Sequence, residues 1–201
     1  MSLELTTVLY SLKEQNKIVA ENSLKMLNRR YKLPEINELI KNFQNKIEAN
    51  ENIFDVKINE EIFSLIVVNS KITNISQLED FLVKDTQKNK ILFLQSLTKK
   101  IYKQATGYKN VEVFMINEFL EDIPSKHFIP KHQLLNLEEK EELLKIYKIK
   151  EFANIISTDM MCRYFNGKID DIFRIERYNM NSGKSVFYRK VIEGALDPIF
   201  F

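Results

Sequence analysis

Between Ile53 and Phe119 the chain alternates short β-branched and aromatic runs with segments of helical spacing. This alternation limits the folds open to it more than any other feature. IFDVKI (53–58) and IFSLIVV (62–68) are separated by Asn59-Glu60-Glu61 and read as a hairpin. ISQLEDFLVKD is then helical, ILFLQ a short strand, TKKIYKQA helical again, and VEVFMI a further strand leading into NEFLED. A strand as uniformly apolar as ILFLQ argues for burial on both faces, so a small sheet covered by helices is expected, an α/β layer. Two amphipathic stretches precede it. Leu5, Val8, Leu9, Leu12, Leu24 and Leu27 fit one core-facing helix, and Leu33-Pro34 interrupts it. Pro34 then suits the first turn of a second helix, where Ile36, Leu39, Ile40, Phe43 and Ile47 form one stripe. The first domain is placed at residues 1–121 and a second at 122–201.

The second domain reads as a small α+β unit, which makes the whole chain a mixture of α/β and α+β parts. Asn136 with Glu139 three residues on is a capping-box variant opening LEEKEELLKIY, whose Leu143, Leu144 and Tyr147 share a face. Thr158 or Asp159 can cap a short helix, MMCRYF, closed by Asn166-Gly167. DIFRIERY and SVFYRKVI then alternate across NMNSG as an antiparallel pair.

At 201 residues the chain can bury a core without disulfides, and its single Cys162 cannot form one internally. That thiol and the lack of a basic-then-apolar leader point to a reducing intracellular compartment. No apolar run reaches membrane-spanning length. The net charge of +2 supplies too few cations for strong stand-alone nucleic-acid binding. Its distribution is uneven, however. Lys84, Lys88, Lys90, Lys99, Lys100, Lys103 and Lys109 cluster against only Asp85, and a run of glutamates and Asp122 follows. Solvated faces are the ordinary reading of such runs.

Catalytic and metal-binding patterns are few. His127, His132 and Cys162 offer at most three preferred zinc ligands, and a five-residue offset across Pro130 keeps the two histidines apart on a strand or a helix. No metal site is assigned, nor any other cofactor. Asp55-Val56-Lys57, with an upstream acid undetermined among Glu35, Glu38, Glu48 and Glu51, matches the short pattern of Mg²⁺-dependent nucleases, in which carboxylates hold the metal and lysine faces the phosphate. Strand alternation accounts for Asp55 and Lys57 equally well, as the solvent side of a half-buried strand. No Gly-rich phosphate loop, serine elbow or HExxH pattern occurs.

One resemblance is more specific than any of these. From Phe128 to Val191, in order and with almost no gaps, the chain carries IPKH (129–132), EEKEELLKIYKI with Glu139, Leu143, Leu144 and Tyr147, then Asp159, Arg163-Tyr164-Phe165, Ile175, Arg177, Gly183 and Tyr188-Arg189 before Val191. This resembles the carboxyl-terminal domain of the fifth subunit shared by eukaryotic RNA polymerases I, II and III, and the corresponding small subunit of archaeal polymerases. There are departures. Lys126 stands where the family usually has histidine, Met160 replaces a proline, Asn166 a glycine, and Met180 or Asn181 an acidic turn residue. The apolar tail Pro198 to Phe201 runs past the usual end and is expected to dock on something. The amino-terminal two thirds resemble, more loosely, the jaw domain of the eukaryotic members.

The resemblance implies a non-catalytic subunit of a multisubunit DNA-dependent RNA polymerase. Its carboxyl-terminal assembly domain would bind the largest subunit through His132, Asp159, Arg163, Tyr164, Arg177, Tyr188 and Arg189, residue types suited to interface anchoring. Its amino-terminal jaw would lie beside downstream duplex DNA, with Lys99, Lys100 and Lys103 touching phosphates without reading sequence. No membrane and no small-molecule substrate are implied. A nucleus is the expected location for a cellular member, and a cytoplasmic viral factory or a virion for a viral one.

Overall fold

The computed structural model describes residues 10–179 and 183–196. The chain divides into two compact units, 1–122 and 123–201.

Unit 1 opens with α1 (Leu12–Tyr31), whose start is fixed by a capping box between Ser11 and Glu14. Leu24 and Leu27 enter the core as expected, whereas Leu12 is exposed and Leu5, Val8 and Leu9 lie outside the described residues. Helix α2 (Ile36–Glu48) begins two residues after Pro34, which sits in the preceding turn with Glu35 in the left-handed region. Then come β1 (Ile53–Ile58), β2 (Glu61–Ile72), α3 (Ser76–Val83), β3 (Asn89–Leu97), α4 (Lys99–Thr106) and β4 (Val111–Met115), with a 3₁₀ turn at Ile116–Phe119. The sheet runs in sequence order: β1 and β2 form an antiparallel hairpin across Asn59-Glu60, with Asn59 at φ 54°, and β2, β3 and β4 are parallel. Each parallel connection passes through a helix, as parallel pairing requires.

The pleat separates the faces. Phe54, Phe63, Phe93 and Phe114 share one face, where Phe43 of α2 stacks on Phe54 at 4.7 Å, Tyr31 of α1 tilts against Phe63 and Phe119 sets its edge on Phe93 and Phe114. The opposite face of β3 holds Lys90, Leu92 and Leu94. Here Lys90, only 3% exposed, donates to the Leu82 carbonyl at the end of α3 (2.6 Å) and lies 5.9 Å from the Phe81 ring. Burial depresses its pKa. The expectation of a sheet covered on both faces thus holds along β3 and fails at β1, whose Asp55 and Lys57 face solvent. Ion pairs tie the unit together across long sequence intervals: Arg29 closes bidentate on Asp122, and Arg30, itself 3% exposed, on Glu112 at 2.9 and 2.8 Å.

Unit 2 contains β5 (Lys131–Leu134), α5 (Leu137–Ile146), β6 (Ala153–Ile156), α6 (Met160–Tyr164), β7 (Ile172–Asn179) and β8 (Gly183–Ile192). Its sheet has the order β5-β7-β8-β6, with β7 antiparallel to both β5 and β8, and β6 parallel to β8. Strand β6 carries no alternation strong enough to read from sequence. The Asn136–Glu139 capping box forms. Of the stripe expected on α5 only Leu143 is buried; Leu144 and Tyr147 remain exposed because the helix ends at Ile146 and Tyr147 is already extended. Gly167 is needed for close packing, since a Cβ there would stand 2.8 Å from the Phe173 ring.

Candidate functional site

The site residues of unit 2 are placed by the pleat of its sheet. Register puts His132, Leu134, Ala153, Ile155, Phe173, Ile175, Arg177, Phe187, Arg189 and Val191 on one face. At one end of that face, Ile155, Phe173, Ile175 and Val191 form the core with Cys162 of α6. Asp159 is the residue that caps α6, accepting from the backbone N–H groups of Met161 (2.8 Å) and Cys162 (3.4 Å). Burial pushes the Cys162 thiol up to about 12, and its S–H points to the Gly167 carbonyl. It is an inert core thiol.

The other end of the same face is covered only in part: Ile175 is buried, His132 and Arg189 are half-buried, and Arg177 and Phe187 are exposed. Across it run His132, Ile175 and Phe187 in one row, with Arg177 on one side of the Ile175–Phe187 pair and Arg189 on the other. Ala153, Ile175, Arg177, Phe187, Tyr188 and Arg189 line a cleft of about 130 Å³ there. The Arg177 guanidinium lies 5.7 Å from the centre of the Phe187 ring, which is 48% exposed. His132 hydrogen-bonds through Nδ1 to the Pro130 carbonyl at 2.7 Å. Burial lowers its pKa; the Pro130 carbonyl and Asp159 oppose that shift, and Arg189 and Arg177 add to it. Burial and the two guanidinium charges together disfavour the protonated form of His132. His127 packs edge-on to Phe128 and has no part in this cleft.

Not every expected contact residue reaches this face. Tyr164 is 3% exposed and sets its ring edge against Phe165, so it serves as core, contrary to the expectation of an interface residue. Tyr188 projects from the alternate pleat into a cluster with Tyr147 and Phe152, opposite Arg174. Arg163 donates to the Thr158 carbonyl near the cap of its own helix. Phe187, which sequence reasoning left out, is central; its alternation with Arg177 and Arg189 across the hairpin was the available signal.

In unit 1, Lys99, Lys100 and Lys103 are exposed on α4, whose first turn is capped by the Thr98 hydroxyl and carries no acid. Lys90 and Lys88 leave the expected basic surface: the first is buried, and the second bridges Asp55 and Asp85. Asp55 also accepts from the Ser64 hydroxyl. Glu48, one of the possible partners of Asp55, is held instead by Lys13 and Lys17, whose hydrogen bonds lower its pKa to about 2. No group of three acids, histidines or cysteines able to hold a metal occurs among the described residues. The nuclease reading is left without support from the geometry.

The family model of "RNA polymerase Rpb5, C-terminal domain" matches residues 121–191, which include every residue lining the cleft. The "DNA-directed RNA polymerase subunit 5" of Acanthamoeba polyphaga mimivirus is 32% identical over 156 residues, 75% of this chain and 76% of that protein. The chain belongs to the RNA polymerase subunit 5 family. Another relative is the archaeal "DNA-directed RNA polymerase subunit Rpo5" of Archaeoglobus fulgidus, 41% identical over 66 residues, 32% of this chain and 87% of that protein. The "DNA-directed RNA polymerases I, II, and III subunit rpabc1" of Dictyostelium discoideum is 31% identical over 127 residues, 59% of this chain and 64% of that protein. As a subunit 5 family member, the chain places its partly covered half-sheet inside the region that the family model matches. No described helix is long and apolar enough to cross a membrane.

Proposed function

We propose that the protein is a non-catalytic subunit of a multisubunit DNA-dependent RNA polymerase that works by contact alone. Unit 2 is its assembly domain and docks on the largest subunit of the enzyme; unit 1 is a jaw beside downstream duplex DNA. The observation that carries this reading is the partly covered half-sheet of His132, Ile175, Arg177, Phe187 and Arg189, lying in the segment similar to the Rpb5 C-terminal domain. Exposed aromatic and arginine side chains over an apolar floor are the composition of interface anchors. For the jaw, the exposed Lys99, Lys100 and Lys103 on one short helix suit phosphate contacts, whose strength depends on the assembly holding the DNA in place. The protein acts inside the cell, in the nucleus of a cellular source or in the factory or virion of a viral one.

Co-expression with the largest polymerase subunit from the same source, followed by size-exclusion chromatography, tests the docking. A stoichiometric complex is expected; separate elution of the two chains defeats the reading. Incubation with DNA and Mg²⁺ is expected to leave the DNA intact, and cleavage that disappears in Asp55→Ala would revive the nuclease reading.

A further inference from the structure

Of the six arginines in the chain, four are answered by the chain itself. Arg29 and Arg30 form bidentate pairs with Asp122 and Glu112, Arg174 pairs with Glu176, and Arg163 donates to the Thr158 carbonyl. The guanidinium groups of Arg177 and Arg189 have no hydrogen-bond acceptor and no carboxylate partner among the described residues. These two flank one cleft and share a floor of Ala153, Ile175 and Phe187. Their donors are not simply surplus cations on a wet surface, because the Phe187 ring lies beneath Arg177 and the register fixes Arg189 on the opposite side of the Ile175–Phe187 pair.

The structure assigns this cleft to an acidic side chain of an extended partner segment: we infer that an aspartate or glutamate carboxylate seats between Arg177 and Arg189, with an apolar neighbour resting on the exposed Phe187 ring. The inference rests on the docking role proposed above and names the chemistry that unit 2 recognises. Three observations select this occupant. First, planar forked donors match a carboxylate, and two of them stand unanswered. Second, among the described residues this face carries no lysine. Lys131, Lys184 and Lys190 all fall on the alternate pleat, by their register with Glu176, Tyr178 and Ile172. A phosphodiester backbone asks for a track of repeated cations, and here there is one isolated pair over an apolar floor. Third, β6 pairs only with Arg189–Ile192, so no described strand covers Gly183–Tyr188 on the side away from β7. That free edge borders the cleft and offers main-chain groups to an extended segment.

The test uses the full chain and the purified largest subunit, with affinity measured by titration calorimetry. The variants are the double charge reversal Arg177→Glu/Arg189→Glu, the neutral pair Arg177→Gln/Arg189→Gln, and the conservative pair Arg177→Lys/Arg189→Lys. Both positions lie outside the core, and matching thermal melts establish that each variant is folded. Charge reversal is expected to weaken binding by about thirtyfold or more, with the neutral pair intermediate and the lysine pair, which keeps the charge but loses the forked donors, between the neutral pair and wild type. Wild-type binding with equal binding by the reversed variant would overturn the inference while leaving the docking role intact. Failure of the wild-type chain to bind would instead sink the docking role. Phosphatase treatment of the partner is expected to change nothing; loss of binding after it would show that a phosphate, not a carboxylate, fills the cleft.

Discussion

The two units answer their own charges differently. In unit 1 a nearly buried guanidinium, Arg30, closes on Glu112, Arg29 on Asp122, and β3 is covered above and below. In unit 2 the guanidinium groups of Arg177 and Arg189 have no carboxylate partner among the described residues, and Phe187 and Tyr178 stand 48% and 82% exposed. Unit 1 pairs both of its arginines with carboxylates of its own. Unit 2 instead leaves aromatic and arginine side chains exposed, residue types common at protein interfaces.

Truncation experiments can break this comparison, and the largest effect belongs to the cores. Phe93→Ala in unit 1 and Phe173→Ala in unit 2 each remove a ring with no exposure, and each is expected to cost about 3–5 kcal/mol in denaturant unfolding. The sharper contrast is between arginines. Arg30→Ala strands Glu112 and should destabilise by about 3 kcal/mol, whereas Arg177→Ala should stay within about 0.5 kcal/mol. Equal losses at the two positions would erase the distinction between the units. Asp159→Ala uncaps α6 and should lower stability by about 1 kcal/mol, read in the same unfolding curves. The smallest effect is a slope. His132 binds its proton less readily when folded than when unfolded, so between the ordinary imidazole value of 6.5 and its lower folded value the unfolded state holds more protons. Stability should rise with pH across that window, and His132→Gln should flatten the rise.

The strands of unit 1 were legible because Ile, Val and Phe crowd them, and the caps at Asn136 and Asp159 because their spacing is local. The ends were not. β2 continues through Asn69-Ser70-Lys71, past a register shift that lets polar residues stay in the ladder, and β6 is too short and too plain to announce itself. The site was half legible. Arg177 and Arg189 were named, and strand alternation already sends Tyr188 to the pleat opposite Arg189, yet the burial of Tyr164 is a product of packing, which one sequence does not display. Lys90 misled for the same reason. Among seven neighbouring lysines nothing local marks the one that folds inward. The apolar tail Pro198 to Phe201 lies outside the described residues.

That inward lysine has a mechanical meaning. Its ammonium meets the carbonyl end of α3, where the helix dipole is negative and no basic residue of the helix itself stands in the last turn. Strand and helix are therefore moored to each other at one point: sliding the helix along the sheet by a turn would leave a bare cation in hydrocarbon.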